Sequence, residues 1–132
     1  MLHKVTIKTE KHDQMLDITA QVQNIVSQEH VQEGMVLVYC PHTTAAITIN
    51  ENADPDVARD ILMRLNELCP WNHPEDRHME GNSSAHLKAC VIGSSELIPL
   101  AAGKLVLGTW QGIYFCEFDG PRQRHYYVKI QS

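Results

Sequence analysis

Imidazole changes charge near neutral pH and is the commonest zinc ligand, so the eight histidines of this chain are the first residues to sort. His42 stands in Pro41-His42-Thr43-Thr44, at a break between two apolar runs. A histidine with two hydroxyls there either faces a ligand or closes a turn on its own backbone. His78 and His86 flank Glu80-Gly81-Asn82, eight residues apart. This is not the i, i+4 spacing that puts two imidazoles on one helix face. The pair can still meet if His78 leaves a loop and His86 projects from the helix after it. Three imidazoles with an open fourth position make a catalytic-type zinc centre. His3, His12, His30 and His73 are expected to be solvated bystanders. Cys90 lies four residues after His86 but beside Val91 and Ile92, so it is expected to be buried as a small hydrophobe.

A second group lies near the C-terminus, where Glu117, Asp119, Arg122 and Arg124 surround a Gly-Pro turn. Arginine holds phosphate in a bidentate fork, so two arginines beside carboxylates suit a phosphorylated ligand. An ion-paired hairpin or subunit contact is the competing reading. Trp110, in Gly108-Thr109-Trp110-Gln111-Gly112, reads as a core residue of a strand. GxGxxG, GxxxxGK[ST] and GxSxG are all absent, so the common nucleotide folds and the hydrolase elbow are not indicated.

The elements that must position these residues follow from periodicity and punctuation. Residues 5–9 alternate as a half-exposed strand, and 15–18 form a second short one. Thr19 caps a helix over 20–30, with Val22, Ile25 and Val26 on one stripe. Residues 35–40 and 45–50 read as strands around the His42 break. Asp54 as N-cap, Pro55 at the first turn and Asp56 at the positive end of the dipole begin a helix. Its apolar stripe is Val57, Ile61, Leu65 and Leu68, and Pro70 stops it. The polar stretch 71–82 is a long loop of the functional kind. A short helix over 85–92 follows, with Gly93 at its end, and then strands at 96–100, 104–107, 110–118 and 125–130. Helices do not alternate with strands. The pattern predicts one α+β domain, 1–132, with an antiparallel sheet or sandwich and helices to one side.

Composition bounds the function. A chain of 132 residues with 43% hydrophobic and 20% charged residues forms a core unaided. Sixteen acidic residues against eleven basic ones argue against a nucleic-acid partner. No C-x-x-C pair, apolar leader or membrane-length apolar run is present, which leads to the expectation of a reduced cytoplasmic protein.

The blocks PHTTAAITINENADPDV, HMEGNSSAHLKA and GKLVLGTWQGIYFCEFDGPRQR, in this order, resemble the small bacterial and archaeal family typified by YjbQ. The resemblance implies an α+β fold in which three subunits pack their sheets around a threefold axis, with a polar pocket close to subunit boundaries. It implies a pocket lining of His42, Thr43, Asn50, Glu51, His78, Glu80, Asn82, His86, Gln111, Asp119 and Arg124. Members are labelled secondary thiamine-phosphate synthases. The expected roles are a divalent metal, zinc-type or alternatively magnesium, on His42, His78 and His86. Glu80, Asp119 and Arg124 take catalytic roles. Thr43, Asn50, Glu51, Asn82, Gln111 and Arg122 hold a small phosphorylated or anionic metabolite. A zinc-type hydrolase and a non-enzymatic metal- or ligand-binding trimer are the alternatives. Magnesium takes oxygen ligands, so three imidazoles and diphosphate chemistry fit each other poorly.

Overall fold

The computed structural model describes all residues, 1–132. In chain order the elements are β1 (Leu2–Lys8), β2 (Gln14–Asp17), α1 (Thr19–Glu29), β3 (Gly34–Tyr39), β4 (Ala45–Glu51) and α2 (Pro55–Leu68). They continue with α3 (Ser83–Ile92), β5 (Ser95–Ala101), β6 (Lys104–Leu105), β7 (Gln111–Glu117) and β8 (Gln123–Gln131). Two antiparallel sheets result, one ordered β1-β8-β3-β5-β6 and the other β2-β7-β4. No helix is long and apolar enough to cross a membrane.

The three-stranded sheet is the middle layer. On β4, Ala45 and Ile47 face one core and Ala46 faces another. The first core lies between the sheets and includes Val36, Val38, Ile98, Phe115, Tyr126 and Val128. The second joins Ala46, Tyr114, Cys116 and Phe118 to Leu65 of α2 and Ala85 of α3. β7 is therefore buried on both faces from Gly112 to Glu117, which is why its sequence runs apolar without alternation. α2 begins as its sequence requires, with the Asp54 carboxylate accepting from the Asp56 N–H at 2.9 Å.

The expectation of helices to one side holds for α2 and α3 only. α1 sends Val22 and Val26, both fully buried, into the core between the sheets. The far side of the five-stranded sheet has no helix over it, and β1, β5 and β8 alternate buried and exposed residues along their lengths.

Two of the connections that pass from sheet to sheet are short and irregular. Residues 40–44 carry the chain from β3 to β4, and residues 118–122 carry it from β7 to β8, with a cis Gly120-Pro121 bond. They lie side by side, since the Phe118 N–H donates to the Thr44 carbonyl at 3.1 Å. A Cβ on Gly120 would stand 2.4 Å from the Lys11 carbonyl oxygen, so only glycine lets the segment after β1 pack against this turn. Thr44, Glu117, Asp119, Arg122 and Arg124 meet at or beside these crossings.

Candidate functional site

β3 and β8 pair Tyr39 with Tyr127, and extending that register by two residues sets His125 opposite Pro41. Proline has no N–H and the chain turns away there, so the ladder would leave the His125 backbone unpaired. The His42 ring fills the gap. Its Nε2 lies 3.1 Å from both the N–H and the carbonyl oxygen of His125. A buried N–H without a partner costs more than a carbonyl lacking one, so the N–H donates to Nε2. The proton of the neutral ring then sits on Nδ1. Burial, with Arg124 and His125 nearby, holds the His42 imidazole below its ordinary pKa and so keeps it neutral. The rings of His42 and His125 meet edge to face at 4.8 Å.

Beneath His42, the carboxylate of Glu117 and the guanidinium of Arg124 form a bidentate pair, both side chains almost wholly buried. Arg124 also donates to the Thr44 hydroxyl and carbonyl, at 2.8 and 3.3 Å. The Thr9 hydroxyl and the Asp119 N–H donate to Glu117 at 2.8 and 3.0 Å. Burial alone would raise the Glu117 pKa, but the bonds from Arg124, Asp119 and Thr9 outweigh it and hold the carboxyl below its ordinary value. Arg124 was expected in a catalytic role. Its guanidinium is instead engaged within the protein, and it ties the two crossings together.

α3 supplies the opposite wall. It is anchored to β4 by the Ile47 N–H, which donates to the Gly93 carbonyl at 3.1 Å. A cleft of ≈ 390 Å³ opens between α3 and the 42–45 crossing, with His42, Thr43, His86, Cys90 and Ser94 around it. A second cavity of ≈ 400 Å³ adjoins it across His86 and Cys90, and Asp76, His78 and Ser83 line its far side. The rings of His78 and His86 stand edge to face at 5.4 Å, and Glu80 is 3.9 Å from the His78 Nε2. Cys90 is exposed, contrary to the expectation of a buried thiol. Nearly all of α3 is apolar or small, and its inward face is taken by Ser84, Ala85 and the fully buried Lys88.

The three imidazoles do not form one metal site within the chain. No group of three or more His, Cys, Asp or Glu side chains is placed to hold an ion. The His42 Nε2 is already engaged with the backbone of His125. His78 and His86 remain as an adjacent pair.

The residues expected to hold substrate are dispersed. Thr43 is at the cleft. Asn50, Glu51 and Gln111 lie at the other end of β4 and β7: Glu51 pairs with Gln111, whereas Ala45 pairs with Glu117. Six residues of strand separate the two ends, roughly 20 Å. There Gln111 accepts the Gly108 N–H at 2.7 Å, closing a local turn, and Asn50 accepts the N–H of its neighbour Glu51 at 2.8 Å. Trp110, expected in the core, is exposed at this end. Asn82, Asp119 and Arg122 form a third group. Asp119 Oδ2 accepts from Asn82 Nδ2 at 2.8 Å and from Arg122 at 3.1 Å. Sequence reasoning missed His125, because its backbone does the work, and His12, which sits beside Asp119.

A family model described as UPF0047 protein YjbQ-like matches residues 3–132. The chain belongs to this YjbQ-like family. It is 55% identical to the UPF0047 protein YugU of Bacillus subtilis over the whole of both chains. It is 52% identical to a UPF0047 protein of Methanocaldococcus jannaschii, over 98% of this chain and 94% of that one. The crystal structure of an uncharacterized YjbQ-family protein from Clostridium acetobutylicum superposes with a TM-score of 0.96 at 55% identity, covering 98% of this chain and 99% of that chain. A hypothetical protein from Aeropyrum pernix gives 0.95 at 39% identity, covering 100% and 98%. The two-sheet YjbQ-like fold is thus shared by bacterial and archaeal members, and none of these names states a reaction.

Proposed function

We propose that the chain is a small enzyme whose reaction centre is the cleft between His42 and His86, that it takes a small phosphorylated or otherwise anionic metabolite, and that it acts as a homotrimer. The observation that carries this reading is the backbone bond to His42 Nε2, which fixes the ring and leaves Nδ1–H as a donor. A neutral, pre-oriented donor beside two hydroxyls suits an anion better than it suits a metal ion. Thr43 and Ser94 are those hydroxyls, and His86 faces them from α3. The reaction to assay first is the coupling of a pyrimidine diphosphate to a thiazole phosphate. In it the thiazole nitrogen forms a bond to the pyrimidine methylene carbon, the carbon–oxygen bond to the diphosphate breaks, and pyrophosphate departs with the electron pair. Donors at the cleft would stabilise the charge developing on that leaving group.

One subunit supplies two adjacent imidazoles and not three, so no step is assigned to a metal ion. The His78–His86 pair, at 5.4 Å between ring centres, favours a second reading in which these two residues start a zinc-type centre completed from outside the chain. Support for the trimer comes from the bare face of the five-stranded sheet, where Leu37 lies between Lys129 and Leu97, with Met35 and Tyr39 exposed beside it.

The test is the coupling assay with purified wild type, His42→Ala and His86→Ala, alongside elemental analysis. Under this reading both variants lose about tenfold or more of kcat/KM and the wild type turns over with substoichiometric transition metal. Unchanged turnover in both variants would remove the cleft from the reaction. A full equivalent of zinc needed for turnover would favour the second reading.

A further inference from the structure

His12, outside the cleft, is the middle of a continuous polar chain drawn from five parts of the molecule. Its Nδ1 is bonded to Asp13 Oδ1. Asp13 Oδ2 accepts from Lys88 Nζ at 2.7 Å, and Lys88, fully buried on α3, also donates to Asn66 Oδ1 of α2 at 2.5 Å. On the other side, His12 Nε2 stands 3.7 Å from Asp119 Oδ1. That distance is too long for a direct hydrogen bond, yet it leaves room for one atom within about 2.8 Å of both. The other oxygen of Asp119 is held by Asn82 and Arg122. Asn82 is 6% exposed, and its own carbonyl oxygen Oδ1 is buried without a partner. Trp71 closes one side, edge to face with the His12 ring at 4.5 Å. The His12 side chain is 47% exposed, so the group is open to solvent.

We propose that His12 is a second acid–base centre, oriented by Asp13, which together with Asp119 binds a hydroxyl-bearing small molecule or the water that takes its place. The arrangement is that of a general base held by a third group: a carboxylate on Nδ1 fixes the tautomer and turns the Nε2 lone pair outward. Lys88 keeps Asp13 from turning away, and Arg122 does the same for Asp119. The chemical class follows from the acceptors. With Nδ1 bonded to Asp13, Nε2 of the neutral ring accepts, and so does Asp119 Oδ1, so the ligand group must donate. This site stands independently of the reading of the His42–His86 cleft.

The test is residue-resolved carbethoxylation of the intact wild-type chain by diethyl pyrocarbonate, read by peptide mass spectrometry, with exposed His30 as the internal reference. A base activated by an orienting carboxylate reacts faster than the reference, Asp13→Asn brings its rate down to that of His30, and ethylene glycol slows His12 alone. A ring that serves only as a latch is occupied at both nitrogens and is protected, so a His12 rate equal to or below that of His30 in the wild type overturns the proposal. Glycol that leaves the His12 rate untouched overturns the ligand. The wild-type comparison needs no variant to fold.

Discussion

Glu117 and Arg124 show how one buried pair can decide whether the site exists. Both side chains lie out of water, so their mutual bonds offset a large desolvation cost, and removing one partner strands the other. Glu117→Gln is expected to lower unfolding stability by about 3–5 kcal/mol, measured by urea denaturation at neutral pH. The pair also sets a pH limit. The folded-state pKa of Glu117 lies below its ordinary value of 4.5, so its contribution is complete above that value and is lost as pH falls towards the folded pKa. Wild-type stability should therefore drop more steeply than that of Glu117→Gln below pH 4.5. Parallel curves would show that the carboxylate is not the titrating group. These roles were only half legible in the sequence. Arginines beside carboxylates read equally as a ligand clamp or an ion pair, and burial decided for Arg124. His12 was set aside because its partner Asp119 is remote in the chain, and no local spacing marks that contact.

At the scale of elements, α3 carries the site and was the hardest helix to place. α2, with its Asp-Pro start and four-residue stripe, was legible because pattern and cap agree, whereas the continuous apolar run of β3 suggested a buried strand and in fact leaves Met35 and Tyr39 exposed. α3 is apolar on most sides, so periodicity could not say which face turns inward, and Cys90 was assigned to the wrong one. Its thiol borders the cleft in the folded protein. Cys40 and Cys116 differ: burial pushes their thiols up to about 11 and about 12. At pH 8, maleimide should label Cys90 within the native lifetime and leave Cys40 and Cys116 unlabelled until denaturant is added. Labelling of Cys116 before Cys90 would mean that α3 does not pack as described.

For the whole molecule, the layer order explains both what is covered and what is not. Helices α2 and α3 seal one face of the small sheet and the large sheet seals the other. The outer face of the large sheet is left with an apolar row that a lone chain would expose to water. Light scattering should give three times 14.9 kDa, and Leu97→Lys should shift the population towards single chains. A wild-type monomer would contradict the proposed assembly. Strand number and antiparallel pairing were readable from alternation and turn residues. The split into two sheets was not, because it depends on the crossings at 40–44 and 118–122, where side-chain bonds replace regular pairing. That split also places Asn50, Glu51 and Gln111 far from His42 within the chain.

In the proposed function an anion docks against a neutral, backbone-oriented His42. Titration of the chain with inorganic pyrophosphate, followed by amide and imidazole NMR, tests it directly. Saturable shifts are expected at His42, Thr43, His86 and Ser94, with the His42 Nδ1 proton becoming protected from exchange. Shifts confined to the Asn50–Gln111 end, or a pyrophosphate response at the cleft that persists unchanged in His42→Ala, would contradict it.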